Sequence, residues 1–152
     1  LNFLSARCRQ RIDLMSHTKL IQSALAAREQ SVAPYSKFNV GAALLTARGE
    51  IICGANVESA SYGLSCCAER IALFKALTHE SKKQRDFIAI AIASPGGAAP
   101  CGACRQLLAE YASKAEVILI NSKSPDTPTI TSTAALLPNA FTGQDLDPAS
   151  NC

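Results

Sequence analysis

A chain of 152 residues, 48% of them hydrophobic, is sized for one domain with a real core, which excludes an intrinsically disordered protein. Fifteen basic residues against twelve acidic leave a net charge of +3 with no long basic run, so the charge signature of a nucleic-acid binder is missing. The longest strongly apolar run, Phe87–Ala93, is far too short to cross a bilayer, which argues against a membrane partner.

The first residues carry Arg7, Arg9 and Arg11 and lack the sustained apolar stretch of a secretory signal. Residues 1–14 are expected to be an N-terminal extension. One domain is expected over 15–141, with a tail over 142–152. Helical periodicity in Leu20, Ile21, Ala24, Leu25 and Ala27 predicts a helix over Ser16–Ser31, capped by Ser16 or Thr18 and stopped by Pro34. Phe38–Ala47 and Glu50–Asn56 read as two strands of a hairpin around Arg48-Gly49. Val57–Ser65 is polar and reads as a loop, the setting in which binding groups concentrate.

A second helix is predicted over Cys66–His79, with Ser65 as N-cap and Ile71, Leu73, Phe74 and Leu77 as its apolar face. Phe87–Ala93 is expected as a central strand covered on both faces, followed by a loop over Ser94–Pro100. Cys101–Ser113 reads as a third helix with Leu107, Leu108 and Tyr111 inward, and Val117–Ile120 as another buried strand. Such a strand–helix–strand unit makes a parallel crossover. Thr127–Thr131 is expected at a sheet edge, where Pro128 is tolerated, and the remainder to Cys152 as irregular chain. A hairpin followed by alternating helices and strands implies an α/β fold, a three-layer α/β/α sandwich around one mixed five-stranded sheet.

Seven cysteines, an odd number in a chain with an adequate core, do not read as a disulfide framework. A reducing, cytoplasmic setting follows, in which clustered cysteines bind metal or do chemistry. Two segments stand out: Cys67-Ala68-Glu69-Arg70 and Pro100-Cys101-Gly102-Ala103-Cys104-Arg105-Gln106. Each falls at a predicted helix N-terminus, where free N–H groups and the positive dipole end favour thiolates. Three thiolates fill three of the four positions of a zinc ion, and a catalytic site leaves the fourth to water. Glu69, two residues after Cys67, is placed to move protons. Cys or His, any residue, Glu, then Pro-Cys-x-x-Cys is the signature of zinc-dependent nucleobase deaminases. Glu69 fixes the frame, so Cys67 rather than Cys66 is expected to face the metal. Cys53 reads as a small buried apolar residue, while Cys8 and Cys152 suggest nothing. His17 and His79 lack ligand spacing and read as surface residues.

The chain resembles the cytidine deaminase family of the short-chain, homotetrameric type. The resemblance runs from about Ala33 to Phe141 and is carried by the zinc motif together with 33–44 (APYSKFNVGAAL), 54–58 (GANVE), 60–63 (ASYG) and 136–141 (LLPNAF). It implies one zinc ion per subunit on Cys67, Cys101 and Cys104, and Glu69 as the catalytic proton carrier for deamination of cytidine and deoxycytidine. It further implies that Phe38 stacks on the cytosine ring and that Asn56 and Glu58 bind ribose hydroxyls. The N–H of Ala68 would contact the base carbonyl, and the C=O of Pro100 would orient the amine. Arg70 would offset thiolate charge, while Tyr62 and Phe141 would help to build a neighbouring subunit's site. Without the resemblance, Phe38 reads equally as core, and Asn56 and Glu58 as a turn residue and a solvated acid. Other readings are a deaminase of a blasticidin-like cytosine nucleoside, a deoxycytidylate or RNA deaminase (which usually has His in place of Cys67), and a structural zinc domain closed by Cys66.

Overall fold

A computed structural model describes residues 17–78 and 86–146. In chain order these form helix α1 (17–28), strands β1 (Gly41–Thr46) and β2 (Ile51–Ala55), helix α2 (Ala68–Thr78), strand β3 (Phe87–Ser94), helix α3 (Gly102–Tyr111), strands β4 (Glu116–Asn121) and β5 (Thr129–Ser132), and the short helix α4 (Thr133–Leu136). Cys8, His79 and Cys152, and the expected extension over 1–14, lie outside the described residues.

The five strands make one sheet in the order β2-β1-β3-β4-β5. β3 and β4 are parallel, and the other pairs are antiparallel. The expected mixed sheet, its parallel crossover and its edge strand are therefore all present. Alternation along the strands sorts the core into two layers. Ala42 and Leu44 of β1, Ile90 and Ile92 of β3, and Val117 and Leu119 of β4 pack with Ala72, Leu73 and Leu108 of α2 and α3. The intervening residues, Ala43, Leu45, Ala89, Ala91, Ile118 and Ile120, pack against Leu20 and Ala24 of α1. β1 is buried along its whole length because both its faces are covered.

Two glycines set how closely helices lie on this sheet. A Cβ on Gly41 would meet the Ala24 carbonyl oxygen and the Arg28 nitrogen of α1 at 2.2 Å. On the other face, a Cβ on Gly54 would meet the Ala68 oxygen and the Ala72 nitrogen of α2 at 2.5 Å. In both cases the obstacle is backbone, which cannot rotate away. Gly54→Ala therefore has to push α2 off the sheet, at a cost of about 1–3 kcal/mol. Because α2 starts beside Cys67 and carries Glu69, the variant should also lose activity per folded molecule. Gly41→Ala should lose comparable stability in urea while keeping its turnover closer to wild type, since it displaces α1 instead. Equal activity losses in the two variants would refute this difference.

The structure departs from the sequence reading where distant segments capture the backbone. α1 stops at 28 rather than Ser31 because the Val32 N–H donates to Asn56 O (2.9 Å) and the Val32 carbonyl accepts from Glu58 N (2.8 Å). β1 begins at Gly41 rather than Phe38, because Asn56 holds the preceding segment through its side chain. α2 begins at Ala68, two residues later than expected, because Cys66 exchanges both backbone hydrogen bonds with Val57 (2.9 and 3.0 Å). Ser65 is thus not the N-cap. Its hydroxyl accepts from Ser59 N and its carbonyl from Arg70. The buried face of α2 consists of Ala68, Glu69, Ala72, Leu73 and Ala76, whereas Phe74 is 44% exposed. The close approach over Gly54 selects alanines there. Tyr111 is likewise exposed, while Cys104 and Leu108 form the buried face of α3. The chain after β5 is not wholly irregular: Ser132 caps α4 by accepting from Ala135 N, and Gly143–Leu146 forms a 3-10 turn.

Candidate active site

Helices α2 and α3 converge with their N-termini. The Cys67 carbonyl accepts from Ile71 N (3.2 Å) and the Cys101 carbonyl from Arg105 N (3.0 Å), so each cysteine sits at the cap position of its helix. Cys104 lies in the first turn of α3. The positive ends of two helices therefore point at one cluster of thiols. Cys67 Sγ lies 3.8 Å from Cys101 Sγ, and Cys101 Sγ lies 3.6 Å from Cys104 Sγ. All three sulfurs are within 4.8 Å of one another, and Cys66 is not among them. A tetrahedral zinc ion with Zn–S bonds of about 2.3 Å holds its sulfurs about 3.8 Å apart, so the spacing fits that ion. The described cysteines are all free.

The electrostatics favour ionised sulfur. Cys67 is drawn down to about 5, chiefly by a hydrogen bond from the Cys104 thiol, with Arg70 and Cys101 adding to the effect. Cys104 is correspondingly pushed up, because it supplies that proton and is buried. Arg70 Nη2 donates to Ser65 O (3.0 Å) and approaches Cys67 Sγ at 3.9 Å. Its buried Nε has no hydrogen-bond partner among the described residues, so part of its charge remains available to the sulfur cluster.

Glu69 is only 5% exposed, and burial raises its carboxyl pKa. It opens onto a cavity of about 190 Å³ at the C-terminal end of β3, lined by Phe38, Val40, Asn56, Cys67, Ala68, Ile92, Ser94, Ala98, Ala99 and Cys101. This volume lies below the roughly 300–1,000 Å³ of drug-sized sites, so the occupant is small. Lys37 adopts a left-handed conformation (φ 58°), and Phe38 follows it at the cavity wall.

Asn56 and Glu58 both organise loops. Asn56 Oδ1 accepts from the Ser31 hydroxyl and from Val40 N (2.8 Å), and its Nδ2 donates to Phe38 O (2.9 Å). One amide N–H of Asn56 is left over by this count. Glu58 Oε2 accepts from Tyr35 N (3.0 Å) and Ser36 N (3.1 Å), and its Oε1 from the Ser36 hydroxyl. The Ser36 hydroxyl and N–H do most to hold the Glu58 carboxyl below the usual range. Glu58 lines a separate depression together with Tyr35, Ser36 and Tyr62.

The structure does not bring every expected residue to the cavity. Tyr62 and Phe141, 80% and 56% exposed, stand away from it. Pro100 is buried, does not line the cavity, and its carbonyl accepts from Arg105 Nε (2.8 Å), while Ala98 and Ala99 form the wall. Ile92, Ser94, Ala98 and Ala99 were not legible as site residues, since single apolar or small strand and loop residues carry no distinctive chemical signal. His17, expected as a plain surface residue, pairs with Glu116 at 3.0 Å.

The family model for the cytidine and deoxycytidylate deaminase zinc-binding region matches residues 14–120. A cytidine deaminase of Halalkalibacterium halodurans is 46% identical over 135 residues, covering 88% of this chain and 99% of that protein. A probable cytidine deaminase of Dictyostelium discoideum is 40% identical over 129 residues, covering 84% of this chain and 85% of its own. Among solved structures, the cytidine deaminase of Burkholderia pseudomallei superposes with a TM-score of 0.75 at 48% identity, covering 82% of this chain and 98% of that one.

Proposed function

The chain belongs to the cytidine and deoxycytidylate deaminase family, and from that premise we propose how its cavity carries out zinc-dependent hydrolytic deamination of cytidine to uridine and ammonia. One observation carries the reading: three thiol sulfurs at zinc spacing, with no fourth protein ligand among the described residues, share a small cavity with a buried carboxyl. A structural zinc site would have closed its fourth position. Cys66, the candidate for that place, is held away by its backbone pairing with Val57.

Cys67, Cys101 and Cys104 would hold the zinc, which would acidify a water enough to act as a nucleophile at neutral pH. Glu69 would take one proton from the attacking water as its oxygen bonds C4 of cytosine, and deliver that proton to N3. It would then take the remaining proton from the new C4 hydroxyl and pass it to the exocyclic amine as the C4–N bond breaks, leaving uridine and ammonia. Burial suits Glu69 to this exchange, because a carboxyl raised toward neutrality both accepts and returns a proton readily. The Ala68 N–H, free at the start of α2, donates to the base carbonyl. Ala98 and Ala99 form part of the cavity wall, and the Pro100 carbonyl, which accepts from Arg105 Nε at 2.8 Å, keeps a second lone pair with which to orient the amine. Arg70 balances the thiolates.

Phe38 supplies a stacking face for the base. The remaining Asn56 N–H and the Glu58 carboxylate receive ribose hydroxyls. Glu58 is ionised and would repel a 5′-phosphate, so nucleosides, deoxycytidine included, are preferred over nucleotides. Tyr62 and Phe141, exposed in one subunit, complete the site of a neighbour in a homotetramer. A role in pyrimidine salvage in the cytoplasm accords with a free nucleoside as substrate. No helix among the described residues is long and apolar enough to cross a membrane. The test is zinc content measured alongside the loss of ultraviolet absorbance of cytidine. Stoichiometric zinc and turnover are expected, with kcat/KM for cytidine at least tenfold above that for dCMP. Comparable values for the two would remove the role given to Glu58.

A further inference from the structure

Arg105 lies one turn along α3 from Cys101, and its guanidinium reaches both back along the chain and far ahead. Nε donates to the Pro100 carbonyl at 2.8 Å, and Nη1 donates to the Leu136 carbonyl at 3.0 Å. The first bond fixes the peptide unit that joins Pro100 to Cys101. The second takes up the last carbonyl of α4, one of the acceptors that a helix leaves unpaired at its C-terminus. The planar fork of an arginine meets two carbonyls in fixed relative directions, which the point charge of a lysine cannot do.

We propose that Arg105 is a positioning residue for the metal centre, which holds the Pro100–Cys101 peptide in place by bracing it against the end of α4 and so sets how firmly Cys101 grips the ion. The inference rests on the zinc-site reading above. Three features place the role in Arg105 itself. Cys101 is the exposed member of the sulfur triad, whereas Cys104 is buried, so Cys101 has the least packing to hold it. Its carbonyl is engaged within α3, but the peptide on its N-terminal side follows an irregular loop, and Arg105 bonds that peptide. The neighbouring Gln106 is bonded elsewhere, to Glu110 Oε1 (2.8 Å) and to the Phe141 carbonyl (2.7 Å). Gln106 therefore anchors the chain after α4 without touching the ligand loop, which makes it a natural control.

The experiment uses the zinc-loaded full chain and follows metal release to an excess of a chromogenic chelator, alongside thermal unfolding of the same samples. Arg105→Gln should release zinc about 10–100-fold faster than wild type, the 10–100-fold loss of metal affinity that follows removal of groups supporting metal ligands falling on the release rate. Arg105→Lys, which keeps the charge but not the fork, should be intermediate, and Gln106→Ala should release zinc at the wild-type rate. In cobalt-substituted protein, the sulfur-to-metal absorption should shift in Arg105→Gln and not in Gln106→Ala. If Arg105→Gln fails to fold, Arg105→Lys carries the test on the same two readouts. Release no faster in the Arg105 variants than in Gln106→Ala, or a cobalt spectrum unchanged by them, overturns the proposal. A wild-type chain that binds no zinc would instead overturn the reading on which it rests.

Discussion

Glu69→Gln should leave zinc bound and remove nearly all turnover. Gln has almost the same shape as Glu and can still donate or accept a hydrogen bond, so the cavity keeps its form. What it cannot do is take a proton from water and return it. A positioned general acid–base group contributes about 10²–10⁴-fold, and here one side chain serves both the attack and the departure of the amine, so kcat should fall toward the upper end of that range. The same substitution should not weaken the fold. Burial raises the Glu69 pKa above its unfolded value, so ionising it costs stability as pH rises past the unfolded pKa. Above that point the metal-free Gln variant should melt at the same temperature as wild type or higher, with the gap closing as pH falls. Zinc analysis, single-turnover kinetics and melts across pH check the three parts. A variant with near-wild-type kcat ends the role assigned to Glu69.

The metal motif could be read from the chain because its chemistry is local. Cys67 and Glu69 are two residues apart, and Cys101 and Cys104 lie on one helical turn, so spacing alone orients them. The short, continuous apolar runs such as Phe87–Ala93 pointed to central strands covered on both faces for the same reason. What escaped depends on contacts between distant segments. Val32 and Cys66 are both captured by the loop around Val57, which shortens two predicted helices, and no local pattern announces such a bridge. The apolar face predicted for α2 favoured Phe74 because large residues dominate a periodicity count. The structure instead buries alanines, since the helix rests almost on the backbone at Gly54. Asn56 shows the same limit at the site. Its sequence setting suits a turn, yet its amide ties Ser31, Phe38 and Val40 together beside the cavity. The loop-organising and ligand-binding readings are compatible, because one donor is left over.

Cys104→Ala should abolish both zinc retention and activity. Cys104 is 1% exposed and is the deepest of the three sulfurs, so no other described side chain of the triad can take its place. Without the ion, water is no longer acidified from about 15.7 to about 7, a larger loss than that of the proton carrier alone. Activity should therefore fall at least as far as in Glu69→Gln, and added zinc should not restore it. The substitution should also reach Cys67. In the metal-free protein the Cys104 thiol is the main donor holding Cys67 at about 5, so its removal should raise the Cys67 pKa toward the ordinary thiol range. Thiolate absorbance of metal-free wild type should then show a sulfur titrating near 5 that the variant lacks. The sign of the pH effect on metal binding follows from the same pair. Cys104 keeps its proton at neutral pH and must give it up to bind zinc, so zinc uptake releases a proton and affinity falls as pH is lowered. Calorimetry in buffers of different ionisation enthalpy measures that release. A Cys104→Ala protein that retains one zinc per chain, or uptake with no proton released, contradicts the three-thiolate site.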